Sequence, residues 1–516
     1  MMETSLHILA VVCLLWFAAL GVRYLVHMFQ LNGYSAKTQF AWMRANLARL
    51  LPFCALLVLA VACAFSGDYG FGFLAAAALF LSLFYLPKKA KKPLVFTARV
   101  IRMLITLGLL NALCFALGIL LSGTGEFVIL GAAVCLEPLL LVLANKINSP
   151  IEATVRARYI KDAKRRLADC PRLRVIGVTG SFGKTSVKYF LTALLREKYN
   201  VLMTPESYNT PMGVVKTIRA SLRATHDIFV CEMGAKYVGD IRELCELVQP
   251  DDGIVTSIGE QHLETFGSID NIIRTKYELA DGISPDGKLF VNLSSPTIAE
   301  NPPRRGAITY GLAPEADYCA RDIAVSETGT AFTLCHRGEQ YAFSTRLIGE
   351  ANVINIVGAL AVACEYGISP DDLRGAVRAL KCVPHRMELL DRGPVLMIDD
   401  AFNSNPSGAK AALETVALFE DAMKIIVTPG MIELGEKEEA CNRALGSEAA
   451  AVCDRIVLVG EKQTRPIARG ALDAGFKKDK IFVAKTIGEA MNFVYGLDAG
   501  GRKKVVLLEN DLPDNF

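Results

Sequence analysis

Val175-Ile176-Gly177-Val178-Thr179 runs directly into Gly180-Ser181-Phe182-Gly183-Lys184-Thr185-Ser186, and residues 187–199 continue with helical character. A short β-type run, a glycine turn, Lys-Thr and a helix together predict a phosphate-binding loop. Glycines let backbone N–H groups turn toward an anion at the helix N-terminus, Lys184 adds positive charge at the terminal phosphates, and the Thr185 hydroxyl can ligate Mg²⁺. The candidate nucleotide-binding set is therefore Gly180, Ser181, Gly183, Lys184, Thr185 and Ser186. The G-x-x-G-K-[ST] spacing is shorter than the usual Walker A pattern, and the strand and helix around it give it its specificity.

A phosphate loop leaves kinase, ATPase and ligase open, so the downstream residues carry the decision. Ile228-Phe229-Val230-Cys231-Glu232 places a carboxylate at the end of a second apolar strand, where metal-binding acids of nucleotide sheets sit. A third strand, 253–258, runs into Gly259-Glu260-Gln261-His262. A lone histidine reads as a satisfied surface residue; at the carboxyl end of a parallel strand beside Glu232 it reads as a metal ligand, and both readings stand. Lys276, in Arg274-Thr275-Lys276-Tyr277-Glu278, reads by composition as an ordinary helical lysine.

Upstream the character changes. The 516-residue chain is 52% hydrophobic with a mean hydropathy of +0.33, above the globular range, so part of it is expected in lipid. Apolar stretches at 6–22, 50–66, 69–86, 103–121 and 127–144 predict about five spanning helices. Arg23, Lys37, Arg44 and Arg49 fill the first connection, Lys88, Lys89, Lys91, Lys92, Arg99 and Arg102 the third, and Lys146 to Arg166 follow the fifth stretch. With every basic segment on one side, the positive-inside rule puts the N-terminus outside and the catalytic region in the cytoplasm, an integral cytoplasmic-membrane protein. Glu137, inside the last stretch, reads as snorkelling from a helix end or as facing a polar interior. Residues 29–42 read as an interfacial helix, and 151–169 as a linker helix leaving the membrane. A net charge of +3 gives no basis for nucleic-acid binding, and 14 cysteines without a C-x-x-C pair fit a reducing compartment.

Beyond the loop, the ordered set T-G-S-F-G-K-T-S, C-E-M-G-A, I-G-E-Q-H-L-E-T-F-G with T-K-Y-E, N-V-I-N at 352–355, H-R-M-E at 385–388, D-D-A-F-N-S-N-P at 399–406 and M-I-E-L-G-E at 431–436 resembles the Mur ligase family over roughly residues 172–505. Within it the likeness is to the branch that adds D-alanyl-D-alanine to a UDP-muramoyl tripeptide. The resemblance implies an ADP-forming ligase of bacterial peptidoglycan-precursor synthesis that uses ATP and Mg²⁺ and passes through an acyl phosphate. It implies that Lys184 and Thr185 hold phosphates and a first Mg²⁺ with Glu232, that His262 binds a second, and that Lys276 is carbamylated to N6-carboxylysine and bridges the metals. It implies that Asn355 contacts the nucleotide and Arg386 the phosphates, while Asp400, Asn403 and Asn405 belong to a loop closing over nucleotide and amine. The implied partners are a UDP-linked or lipid-linked muramoyl peptide, an amine such as D-alanyl-D-alanine, and membrane lipid.

The chain departs from the family in several places. Membrane stretches stand where the family has a UDP-sugar-binding domain, Ala351 replaces a His, His385 replaces a Gly, and Glu509-Asn510-Asp511 stands in place of a basic Lys-Gly-Ser-Arg turn. Short strands at 395–398, 424–427, 455–459, 480–483 and 504–508 predict a second α/β sheet. The expected α/β architecture is a transmembrane bundle over 1–150, a P-loop Mur-type ATPase domain over 151–383 and a Rossmann-like domain over 384–516. Two other classes fit the loop alone: a membrane lipid kinase, and a nucleotide-binding scaffold for envelope enzymes.

Overall fold

The computed structural model describes residues 2–66, 68–87, 92–121, 124–402, 404–432 and 434–511. Lys88, Lys89 and Lys91 of the basic connection, and Asn403, lie outside the described residues. The chain forms two compact units, one through Arg158 and one from Tyr159 to Asp511.

The five apolar stretches fold as helices Met2–Leu31, Leu51–Ser66, Asp68–Ser82, Ala98–Leu121 and Thr124–Ala168. Three of these, over Thr4–Leu31, Ala98–Gly118 and Glu126–Ala168, are long and apolar enough to cross a membrane, whereas Leu51–Cys63 and Gly70–Tyr85 are shorter. The expectation of five spans therefore holds for helices and not for span length: the third stretch gives way to a 3-10 turn at Leu83–Tyr85, and another 3-10 turn, Leu47–Arg49, lies just ahead of the second. Val12, Leu15, Trp16, Ile105, Leu109 and Leu113 make an exposed apolar exterior. Glu137 is only 2% exposed in mid-helix, so it does not snorkel.

Two local expectations are corrected. Residues 29–42 are not one helix: the first helix ends at Leu31, and Ser35 starts another, Ala36–Ala45, its side chain accepting from Thr38 N. Residues 151–169 are not a separate linker, because the 45-residue helix Thr124–Ala168 runs past both Pro138 and Pro150.

The second unit holds two sheets. Strands β1 (Arg174–Thr179), β2 (Val201–Met203), β3 (Ile228–Glu232), β4 (Asp252–Val255), β5 (Leu289–Asn292), β6 (Ile308–Gly311), β7 (Tyr318–Ser326), β8 (Gly329–His336) and β9 (Glu339–Thr345) lie in the order β2-β3-β1-β4-β5-β6-β7-β8-β9. The first six are parallel neighbours, while β7, β8 and β9 form an antiparallel meander. β1 is buried on both faces, as parallel strands covered by helices on each side must be. Because β3 and β4 flank it, the connections leave β1 in opposite directions and open a crevice at its carboxyl end.

The second sheet comprises β10 (Glu388–Asp391), β11 (Val395–Asp400), β12 (Ala422–Thr428), β13 (Arg455–Val459), β14 (Ile481–Ala484) and β15 (Lys503–Glu509), in the order β10-β11-β15-β12-β13-β14. Only β10 runs antiparallel. Pairing of β11 with β15 sets Asp400 beside Glu509 at the carboxyl edge.

Candidate active site

The loop after β1 is shaped by Gly180 at φ 149° and Gly183 at φ 79°. A side chain at either place would collide: a Cβ on Gly180 would lie 2.1 Å from Thr256 Oγ1, and one on Gly183 2.6 Å from Asn355 Oδ1. Ser181 N donates to Ser257 O at 2.7 Å, Ser181 Oγ to Gly259 O at 3.0 Å, and Phe182 N to Ser257 Oγ at 2.9 Å. The loop is thus tied to the segment after β4 and opens onto the N-terminus of helix Lys184–Leu195, a cradle that fits an anion. Lys184 folds back over it and donates to Ser181 O at 2.8 Å. Burial pushes the Lys184 ammonium down to about 8, against Glu232 and with a further push from Arg386.

Glu232 ends β3 beside this helix and is 1% exposed. Its Oε1 accepts from Thr185 Oγ1 at 3.2 Å and from Asn209 Nδ2 at 3.0 Å, while Lys188 Nζ stands 2.9 Å from Oε2. Burial pushes its carboxyl up, but Lys188 and Lys184 outweigh that and hold it below its ordinary value. A hydroxyl and a carboxylate side by side are the oxygen donors a hard cation takes, so Thr185 and Glu232 fit Mg²⁺. Among the described residues no group of three or more His, Cys, Asp or Glu is placed to hold a metal on its own, so a phosphate and water would have to complete the shell.

Lys188 was not singled out in the sequence, yet it is fully buried and also donates to Glu206 O. The available signal was helical spacing, since Lys188 lies one turn beyond Lys184 and Thr185 on the same face.

Lys276 lies in helix Ile269–Gly282. That helix sits close over β1 because Gly177 has no side chain: a Cβ there would lie 2.6 Å from Leu279 Cδ1. Lys276, one turn before Leu279, is thereby 2% exposed, and burial drives its amine well below the lysine range, Lys184 pushing the same way against Asp240 and Glu278. His262 sits with a left-handed backbone, φ 53°, at the start of helix Leu263–Phe266. Asn355, on helix Glu350–Glu365, faces the loop at Gly183. Ser186 is buried in the first turn after the loop.

From the turn ahead of β10, Arg386 reaches across to the loop, its Nη2 donating to Thr185 Oγ1 at 3.3 Å and its guanidinium stacking 4.4 Å from the Phe402 ring centre. It projects from a turn in which His385 and Met387 both have positive φ, 59° and 51°. Asp399 Oδ2 holds His385 Nδ1 at 2.8 Å, and Asp400 Oδ1 accepts from Met387 N at 3.1 Å, so the end of β11 carries the turn. Burial raises Asp400 to about 6, against Met387 N–H and Arg386, with Asp399 adding to the rise. Glu509, 1% exposed, accepts from Ser404 Oγ at 2.5 Å, and burial beside Asp400 pushes it well above the carboxylate range. Asn405 Oδ1 caps helix Pro406–Ala417 by accepting from Gly408 N at 2.9 Å, which commits that oxygen to the helix rather than to a ligand.

Residues 178–363 match the Mur ligase middle domain and 385–508 the Mur ligase, glutamate ligase domain. The UDP-N-acetylmuramoyl-tripeptide--D-alanyl-D-alanine ligase of Bacillus subtilis is 35% identical over 311 residues, 60% of this chain and 67% of that protein. The enzyme of the same name from Escherichia coli is 31% identical over 335 residues, 62% of this chain and 74% of that protein. The structure of MurF ligase from Thermotoga maritima in complex with ADP superimposes with a TM-score of 0.62 at 26% identity, over 69% of this chain and 80% of that one. A MurF structure from Acinetobacter baumannii gives 0.61 at 26% identity, over 69% and 77%.

Proposed function

The chain belongs to the Mur ligase family, and from that premise we propose that it is an ADP-forming ligase of peptidoglycan-precursor synthesis, joining D-alanyl-D-alanine to a UDP-linked muramoyl tripeptide. One observation carries the ligase reading: Arg386, in the turn that leads into the second sheet, reaches Thr185 of the phosphate loop, so the terminal phosphate of ATP would meet residues of both domains.

In this reading Gly180 to Ser186 enclose the phosphates, Lys184 and Arg386 face the charge that develops as a carboxylate attacks the terminal phosphorus, and Asn355 flanks the nucleotide. Thr185 and Glu232 would hold Mg²⁺, which when bound would supply further charge neutralisation there. Lys188 keeps Glu232 ionised and oriented. Burial, with Lys184, lowers the Lys276 amine well below the lysine range and so favours the neutral form that can add to CO₂: its nitrogen bonds to the carbon and a proton leaves, giving an anionic N6-carboxylysine that would serve a second metal site with His262. The amine nitrogen then attacks the acyl carbon, the carbon–oxygen bond to the phosphate breaks, and inorganic phosphate and a proton leave as the amide forms, while closure of the second domain, with the Asp400 loop, excludes water.

We assign residues 1–150 to a membrane anchor with the N-terminus outside, 151–383 to the ATP-binding domain and 384–516 to the domain that receives the amine. The three long apolar helices and the one-sided basic segments support the anchor.

The test is nucleotide product analysis on full-length protein in detergent, with ATP, Mg²⁺, UDP-muramoyl tripeptide or its lipid-linked form, D-alanyl-D-alanine, and Lys184→Ala as control. ADP and phosphate released only with both acceptor and amine is the expected result. A phosphorylated lipid in place of a new amide would overturn the ligase reading. Turnover with a different amine only would overturn the dipeptide and point to the acidic Glu509 edge as the cause.

A further inference from the structure

The first unit contains a cavity of about 750 Å³ that the ligase chemistry does not use. It lies at the basic ends of three helices, where Arg23 follows the apolar part of Met2–Leu31, Arg49 precedes Leu51–Ser66, and Tyr85 and Leu86 follow Asp68–Ser82. Its walls are of two kinds. Leu51, Ala55, Leu81 and Phe84 with their neighbours are apolar, whereas Arg23, His27 and Arg49 bring positive charge or proton donors. None of the lining residues is acidic.

The polar wall is held in place. Arg49 Nη1 donates to the Tyr24 hydroxyl at 3.0 Å, the Tyr85 hydroxyl donates to Arg49 O at 2.6 Å, and His27 Nε2 is 2.8 Å from Lys92 O. Tyr85 is packed between Tyr24, 5.4 Å away, and Phe53, 5.2 Å away, so the ring wall is rigid. Arg49 therefore spends one donor on a neutral phenol, and no carboxylate lines the cavity to pair with Arg23. Two guanidiniums without a carboxylate, beside a large apolar recess at the level where a helix leaves lipid, call for an anion that carries its own hydrocarbon.

We propose that this cavity binds a membrane lipid with a phosphomonoester head, the phosphate between Arg23 and Arg49 and the first part of the chain against Leu51, Ala55 and Phe84. Basic pockets between helices on the cytoplasmic side are where phosphate head groups bind. A phosphomonoester carries about 1.5 to 2 negative charges at neutral pH, matching two arginines, whereas a diester carries one. The volume far exceeds a lone phosphate, which leaves the apolar wall for the tail. The proposal rests on the membrane-anchor reading above, and puts a lipid-phosphate site on the same chain as a ligase of envelope precursors.

The experiment uses the full chain in detergent and native mass spectrometry, with phosphatidic acid, phosphatidylglycerol and phosphatidylcholine as probes and inorganic phosphate as competitor. Phosphatidic acid should be retained at least tenfold better than the other two lipids and should resist millimolar phosphate. The double variant Arg23→Gln/Arg49→Gln should lose that preference, and Ala55→Trp, which fills the recess without touching charge, should lower retention of phosphatidic acid by a similar factor. Both variants should keep wild-type ADP formation. Equal retention of phosphatidic acid and phosphatidylglycerol, unchanged binding in both variants, or displacement by inorganic phosphate would each overturn the proposal. Alkaline carbonate extraction of membranes separates the two readings: release of the chain overturns the anchor, whereas retention without lipid preference overturns the cavity alone.

Discussion

The buried pair of Lys188 and Glu232 sets the electrostatics of the site. Both side chains are out of water, and 2.9 Å apart each is the other's main compensation. Replacing Lys188 with Met removes the nearest cation and leaves the carboxylate with only Lys184 and the Thr185 and Asn209 donors, so the loss should lie at or below the cost of breaking a buried pair, about 3–5 kcal/mol. Calorimetric unfolding of Lys188→Met should show that loss, and Lys188→Met/Glu232→Gln should regain part of the stability without regaining activity. A double variant no more stable than the single one would mean the two groups are not coupled. Lys184 makes a separate pH prediction. With a folded pKa of about 8 against an ordinary 10.5, it binds fewer protons folded than unfolded between those values, so its contribution makes stability rise with pH through that window. ATP phosphates favour the ammonium, so binding near pH 9 should take up a proton, seen as a buffer-dependent calorimetric enthalpy, and affinity should fall as pH rises through 8. Lys184→Arg should abolish the uptake; persistence would assign the proton to another group.

Helix Ile269–Gly282 shows how one missing side chain positions a reactive group. Gly177→Ala would drive a methyl to within 2.6 Å of Leu279 Cδ1 and lift the helix carrying Lys276. Overpacking of this kind costs about 1–3 kcal/mol, and here turnover should fall further than stability predicts, because Lys276 moves with the helix. A stability loss with unchanged turnover would detach Lys276 from catalysis. Such elements also show what was legible in the chain. The strand, glycine turn and helix at 175–199 are consecutive in sequence, and local chemistry defines them. The strands of the second sheet were legible as β-branched runs. The meander β7 to β9 was not, because its strands carry exposed polar residues such as Arg321 and Asp322 and a bulge between Arg321 and Ala324. The adjacency of Asp400 and Glu509 was also hidden, since it depends on β15 inserting between β11 and β12 after more than a hundred intervening residues. Lys188 was visible only as one more helical lysine until β3 brought Glu232 against it.

At the scale of the whole molecule, two kinds of surface meet in one chain. The first unit turns Val12, Trp16, Leu109 and Leu113 outward, a face that water tolerates poorly. The second unit buries its apolar residues in closed cores on both faces of its sheets. An anchor with the N-terminus outside and basic segments inside predicts a definite topology. A tag ahead of Met1 should be labelled from outside intact cells by an impermeant reagent, and one after Phe516 only once the membrane is opened. The protein should stay with membranes in alkaline carbonate. Residues 159–516 expressed alone should be soluble and should form ADP from UDP-muramoyl tripeptide and D-alanyl-D-alanine if the anchor serves only for placement. If that fragment folds and binds ATP but turns over only with a lipid-linked acceptor in detergent, the helices present the acceptor and are part of the enzyme's specificity.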